Sequence, residues 1–432
     1  MVWELAPTRY GRRWALALGA CLIALIAVGC QILSGRAYQA PAVTVFKLQM
    51  VSANTGWAVG FTGPVPEFPS SYVLRTMDAG QTWHRVSTQV KPERATFFLG
   101  RNDAWVLHWG STLGQGILDF TTNAGQTWAS KPVPGYRGGP TEIDFINAQQ
   151  GWIAFCNNKG AQLLRTSDGG GNWLSVGPIT RLGCPLSTGG STDHIRFVSP
   201  EVGWAVADNP PGQEEPVPNC HLPEMQLLQT TDGGFSWHAV PLPIVGVNFA
   251  QLWASGTRVV LDGEFPARIC AVAEQASAAT ASALPRPVPP DKPCPKPPAP
   301  PRVESTIAGL PIISGPCAKC GFVLSSQNSG RTWHVVTGPS PTSAVFFDAR
   351  FGWFVAFRPA IYSTEDGGLD WTRVGLLPWV GAIVSVTSAT TAWALGRNTG
   401  GGDCTPALWA TRDGGRAWSM TNPNFSVQNG YG

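Results

Sequence analysis

One eight-residue pattern constrains this chain more than anything else in it. The pattern is Thr or Ser, any residue, Asp or Asn, any residue, Gly, two further residues, then Trp. It occurs seven times: Thr76–Trp83, Thr121–Trp128, Thr166–Trp173, Thr230–Trp237, Ser326–Trp333, Thr364–Trp371 and Thr411–Trp418. The third positions are Asp78, Asn123, Asp168, Asp232, Asn328, Asp366 and Asp413, and the closing tryptophans are Trp83, Trp128, Trp173, Trp237, Trp333, Trp371 and Trp418. An Asp or Asn side chain can accept hydrogen bonds from the N–H groups of its own turn. Gly supplies a positive φ that other residues resist, and Trp covers the turn with a large apolar surface. Each copy therefore predicts a tight turn between two strands.

A second signal runs in phase. Gly56-Trp57, Ala104-Trp105, Gly151-Trp152, Gly203-Trp204, Gly352-Trp353 and Ala392-Trp393 each open a short apolar run upstream of a box, and the fifth repeat has Arg258-Val259-Val260-Leu261 instead. Such runs read as strands buried on both faces. With an apolar run before each, the unit is four short strands in about 40–48 residues, the size of a propeller blade. Seven units closing into a ring remove exposed sheet edges. The expected fold is all-β, a seven-bladed propeller of four-stranded antiparallel blades over residues 43–420. Residues 421–432 either fray or help close blade one against blade seven.

Asp78, Asn123 and Asp168 stand 45 residues apart; the spacing then widens to Asp232 and again to Asn328, and returns to normal for Asp366 and Asp413. The extra residues read as insertions: one between Asp208 and Glu224, a Pro- and Ala-rich one over 271–316 in blade five, and a loop from Gly400 to Pro406. The Pro-rich stretch reads as a polyproline or disordered excursion.

The first residues differ. Arg9, Arg12 and Arg13 precede an apolar stretch from Trp14 to Leu33. About 20 apolar residues can span a hydrocarbon core as a helix, and the basic flank places the body of the chain outside the cytoplasm. Residues 1–33 read as an anchor or signal and 34–42 as a linker. Permanent anchor, lipoprotein signal with Cys30 lipidated, and ordinary cleaved signal all stay open. Eight cysteines follow: Cys156, Cys184, Cys220, Cys270, Cys294, Cys317, Cys320 and Cys404. An even count in an oxidising compartment suggests disulfides without giving their pairing. Cys317-Ala-Lys-Cys320 lacks a second pair for zinc and reads as a structural loop. Net charge is +3 without a basic run, which argues against nucleic acid as a partner.

The boxes resemble those of sialidases, certain glycoside hydrolases and sortilin-type receptors. Their pairing with Gly-Trp strands over Val43 to Met420 is most similar to the photosystem II stability/assembly factors. That resemblance implies a non-enzymatic scaffold or assembly factor at a membrane, monomeric and without cofactor or metal, that binds an unidentified membrane or envelope protein. The alternative is a glycan-binding or sialidase-like glycoside-hydrolase propeller.

The residues bear on that choice. Seven near-identical boxes, five with Asp and two with Asn, cannot all be one active site. No Arg-Ile-Pro occurs, and only six tyrosines are present, Tyr10, Tyr38, Tyr72, Tyr136, Tyr362 and Tyr431. Glu67, Asp103, Glu142, Asp144, Glu264 and Asp348 read as scattered, with no carboxyl pair for glycoside hydrolysis. His84, His238 and His334 follow box tryptophans and read as surface strand residues. Arg350, Arg358, Arg373 and Arg397 could contact a partner. No catalytic residue is assigned.

Overall fold

A computed structural model describes residues 44–61, 71–87, 93–110, 115–136, 141–157, 160–178, 195–207, 226–243, 248–265, 320–339, 341–356, 360–377, 382–398, 405–422 and 427–428. The N-terminal segment, Cys30, the linker and the body of each insertion lie outside them. No helix among the described residues is long and apolar enough to cross a membrane.

The strands form seven sheets. Blade one holds β1 (Thr44–Met50), β2 (Gly56–Phe61), β3 (Ser71–Thr76) and β4 (Trp83–Arg85); blade two holds β5 (Glu93–Leu99), β6 (Asp103–Trp109), β7 (Gly116–Thr121) and β8 (Ala129–Val133). Blade three follows with β9 (Thr141–Phe145), β10 (Gly151–Asn157), β11 (Gly160–Thr166) and β12 (Leu174–Pro178), and blade four with β13 (Ile195–Phe197), β14 (Gly203–Ala207), β15 (Gln226–Thr230) and β16 (His238–Val240). Blade five comprises β17 (Asn248–Ser255), β18 (Arg258–Phe265), β19 (Cys320–Ser326) and β20 (His334–Pro339). Blade six comprises β21 (Pro341–Phe346), β22 (Gly352–Ala356), β23 (Ala360–Thr364) and β24 (Thr372–Leu376). Blade seven comprises β25 (Ala382–Val386), β26 (Ala392–Asn398), β27 (Thr405–Thr411) and β28 (Ser419–Asn422). A last short strand, β29 (Val427–Gln428), runs parallel to β4.

First strands of neighbouring blades meet one another, so they line the axis and the fourth strands face outward. The architecture expected from the repeats is therefore present: all-β, seven blades, four antiparallel strands each.

The Gly-Trp signal builds the joints between blades. Trp57, Trp105, Trp152, Trp204, Trp353 and Trp393 are fully buried. Trp105 stacks on Phe145 of the next blade at 3.8 Å between ring centroids, and Trp152 on Phe197 at 3.7 Å. Three of these indole N–H groups donate into a neighbouring blade's box turn, Trp105 to the Gly169 carbonyl at 2.8 Å, Trp152 to Gly233 at 3.0 Å and Trp393 to Ala79 at 3.0 Å. Trp57 donates instead to the Gly100 carbonyl of blade two at 3.0 Å, and Trp204 has no acceptor among the described residues. At Gly151, Gly203 and Gly352 the cross-strand aromatic, Phe145, Phe197 and Phe346 respectively, lies on the Gly and leaves no room for a Cβ. A Cβ on Gly203 would stand 2.5 Å from the Phe197 ring.

Blade five lacks this Trp, and Val260 holds its register position. There Trp253 on β17 approaches Phe346 of blade six at 5.0 Å. Arg258 donates to the carbonyls of Ala349 and Asp366, doing for this joint what an indole does elsewhere.

Candidate functional site

All seven box turns share one geometry. The opening hydroxyl donates to the Asp or Asn at 2.7–3.1 Å. The same oxygen accepts the N–H of the box Gly at 2.9–3.0 Å. The Asp or Asn then accepts the N–H four residues on at 2.8–3.0 Å. Asn serves in two copies because its amide donates to the hydroxyl that the carboxylate would accept from. Asn123 and Asn328 reach Thr127 and Thr332 this way. At Asp232 burial pushes the carboxyl up, but the Ser236 hydroxyl and N–H and the Thr230 hydroxyl outweigh it and bring it down to about 2. These side chains are engaged in holding their turns. Two closing tryptophans stay local, Trp83 and Trp237 donating to the carbonyls of Gly80 and Gly234, both at 3.1 Å, whereas Trp128 donates to the Val86 carbonyl of blade one at 2.7 Å.

Outside the boxes the structure corrects one expectation. Glu142 and Asp144 are a pair, not scattered acids. They stand two apart on β9, hence on one face, and both reach β13 of blade four. Glu142 accepts the Ile195 N–H at 2.8 Å, and Asp144 accepts the Phe197 N–H at 2.5 Å and the Arg196 guanidinium at 3.1 Å. Polar side chains stitch other inner joints as well. Lys47 and Gln49 donate to the carbonyls of Thr96 and Phe98, and Ser385 accepts the Met50 N–H at 2.9 Å. The pair thus caps the free edge of an inner strand, and its carboxylates are occupied by N–H groups rather than aimed into a cleft.

Three further groups escaped sequence reading. Asp262 on β18 is fully buried and accepts the Ala344 N–H of blade six at 2.7 Å; its Oδ1 has no hydrogen-bond partner among the described residues. Burial pushes its pKa up to about 7, against the pull of the Ala344 and Gln251 N–H groups. The second group is a chain of His108, Asp119 and Ser130 across β6, β7 and β8. His108 Nε2 lies 2.9 Å from the Asp119 carboxylate, and Ser130 donates to the other carboxylate oxygen at 2.5 Å. The carboxylate stands between the imidazole and the hydroxyl, so the hydroxyl bonds to Asp119 rather than to His108, and this is not the Ser–His–Asp order of a nucleophilic triad. The third is a groove of about 320 Å³ between the blade-five and blade-six boxes, walled by Trp333 and Leu369 and edged by Gln327, Asn328, Thr332 and His334.

The other candidates are dispersed. Asp348 accepts the N–H groups of Arg350 and Phe351. Asp103 has its pKa pushed up by burial. His238 and His334 are exposed and His84 is half-buried. Cys156 is buried and disulfide-bonded. Cys320 opens β19 opposite Phe265. The remaining cysteines, Arg358 and Glu67 lie outside the described residues. Among the described residues, no cluster of three or more His, Cys, Asp or Glu could hold a metal.

Strand direction sorts the ring into two rims. The box turns and the turns between first and second strands share one rim, where N–H groups of the box bond to carbonyls of the adjacent turn, as Gly233 does to Glu201 at 2.7 Å. Chain leaving second strands emerges on the other rim. Ala207 is paired with Gln226, and Phe265 with Cys320, so both insertions begin and end there.

No family model matches the chain. No curated protein matches it either. Solved structures resemble it at low identity. One described as YCF48 bound to D1 peptide is 13% identical, with a TM-score of 0.45 over 88% of this chain and 93% of that one. YCF48 from Cyanidioschyzon merolae is 16% identical, with a TM-score of 0.43 over 87% and 95%. A prolyl endopeptidase structure is 10% identical, with a TM-score of 0.50 over 94% of this chain and 54% of that one. At such identities the likeness is one of fold.

Proposed function

We propose that this chain is a non-enzymatic, membrane-tethered propeller on the extracytoplasmic side that docks a partner protein as a scaffold or assembly factor. The reading takes its class from the Gly-Trp and box pairing that resembles the photosystem II assembly factors. The single observation that carries it is the division of the rims. One rim is built of near-identical turns whose Asp and Asn side chains are engaged in their own hydrogen bonds. The segments that break the repeat join strand ends on the other rim. Specificity resides in what is not repeated, so the partner docks on the rim of the insertions. YCF48 with its D1 peptide is an instance of peptide recognition by that protein; for this chain the proposal is recognition of a membrane or envelope protein segment.

Photo-crosslinkers at Phe61, Ala207 and Phe265 on the insertion rim, and at Gln81, Gln126 and Phe235 in the box turns, test this in native membranes. Adducts to one specific protein from the first set alone are expected. Adducts from the box set, or from neither, refute the reading.

The groove between blades five and six favours a second reading, a glycan-binding propeller, because an indole wall edged by amides and hydroxyls suits a sugar ring. Glycan-array binding abolished by Trp333→Ala would support it, and an array without signal would remove it.

A further inference from the structure

The four antiparallel strands of each blade are consecutive in sequence, and among the described residues only blade one gains a strand from the far end of the chain, the short β29. Six joints are crossed by chain passing from a fourth strand to the next first strand. The joint between blades seven and one has no such crossing. Side chains hold its inner part: Ser385 accepts the Met50 N–H at 2.9 Å and donates to the Met50 carbonyl at 3.2 Å. Trp393 holds its middle through the Ala79 carbonyl at 3.0 Å, over a cluster joining Leu408 and Ala410 to Leu48, Leu74 and Trp83. Its outer part is covered by β29, with Val427 beside Trp83 and Gln428 beside His84.

The edges of the other fourth strands explain why β29 sits on this one. An unpaired outer strand invites pairing with another chain, and proteins blunt such edges with Pro, bulges or very short strands. Every other fourth strand is blunted. Pro132, Pro178 and Pro339 lie in β8, β12 and β20. β16 has three residues and runs into Pro241. The ladders of β24 and β28 are broken by register shifts. β4 is as short as β16, but no Pro directly follows it and no register shift interrupts its ladder, and it is the edge that β29 occupies.

We infer that the outer edge of blade one is a strand-binding site, that its resident ligand is the chain's own segment at Val427–Gln428, and that this pairing is the clasp of the ring. The ligand chemistry is extended backbone, recognised through N–H and C=O groups rather than through side chains. Adjacent residues of a strand point their N–H groups to opposite sides, so one of Val427 and Gln428 presents its N–H toward β4.

Hydrogen exchange on the full chain, on a variant ending at Asn422, and on Val427→Pro and Gln428→Pro tests the clasp. Removing the segment should speed exchange about tenfold at whichever of His84 and Arg85 presents its N–H to the outer edge, the effect of one lost backbone hydrogen bond. It should leave its neighbour, which faces β3, and β14 and β15 of blade four unchanged. One of the two proline variants should reproduce it. A peptide of residues 423–432 added to the shortened chain should restore protection. Unchanged exchange at β4, loss spread evenly over all blades, or a full-length chain whose segment pairs only with a second copy would each overturn the inference. If the shortened chain does not fold, the proline variants decide alone.

Discussion

Asp262 should make the blade-five joint sensitive to pH in a direction opposite to that of the box carboxylates. Its position in the repeat is apolar in the other six blades, where Val59, Leu107, Ala154, Val206, Val355 and Leu395 stand. Its carboxyl is held up at about 7 by burial, against an ordinary value of 3.8. Between these two values the folded chain keeps a proton that the unfolded chain releases. The contribution of Asp262 is therefore fully present below about pH 4, falls as pH rises, and is lost above about pH 7. Three decades of proton affinity at about 1.4 kcal/mol each make the swing on the order of 4 kcal/mol. Asp262→Asn keeps an acceptor for the Ala344 N–H and cannot ionise. Urea unfolding of both proteins from pH 4 to pH 8 isolates the effect, because every other carboxylate cancels in the difference. Wild type should lose stability relative to the variant as pH rises to 7 and run parallel to it beyond. A difference that is flat with pH, or that favours wild type as pH rises, would refute the reasoning.

Three further outcomes are expected. Asp232→Ala removes bonds to the Ser236 N–H, the Ser236 hydroxyl and the Thr230 hydroxyl and should cost about 1 kcal/mol. That carboxyl is depressed to about 2, so the cost should be complete at pH 6 and largely gone at pH 2, read from urea midpoints. Gly203→Ala drives a methyl into the Phe197 ring and should cost about 1–3 kcal/mol; Phe197→Val in the same chain should recover part of it, since Val386 already lies opposite Ala392 in blade seven. Arg258→Ala should cost about 2 kcal/mol by removing the Arg258 donor from the Ala349 carbonyl and leaving the Asp366 carbonyl with the Gln327 amide at 3.4 Å. Hydrogen exchange should place that loss in the 347–351 turn and the blade-six box, and Arg258→Lys should recover part of the protection.

How much of this was legible in the chain depends on whether a residue acts within its own repeat or across a joint. The box turns were readable because every partner of Asp78 lies within four residues of it: Thr76, Thr82 and the turn between them. The number of blades followed from counting them. The acids Glu142 and Asp144 carried a readable hint, since residues two apart in a strand share a face. Their role came from the N–H groups of Ile195 and Phe197 in the next blade, which no local pattern reveals. His108 and Asp119 meet only once the register of β6 on β7 is known, because they are diagonal neighbours and not direct partners. Asp262 is different. Read along the chain it is an ordinary acid after Val-Val-Leu, but read down the seven repeats it is the single charge in an apolar column. Arg258 likewise falls where the Gly-Trp signal fails. In a chain built of copies, the residue that departs from its column is the one whose reason lies outside the repeat, and both departures here fall on the joint between blades five and six.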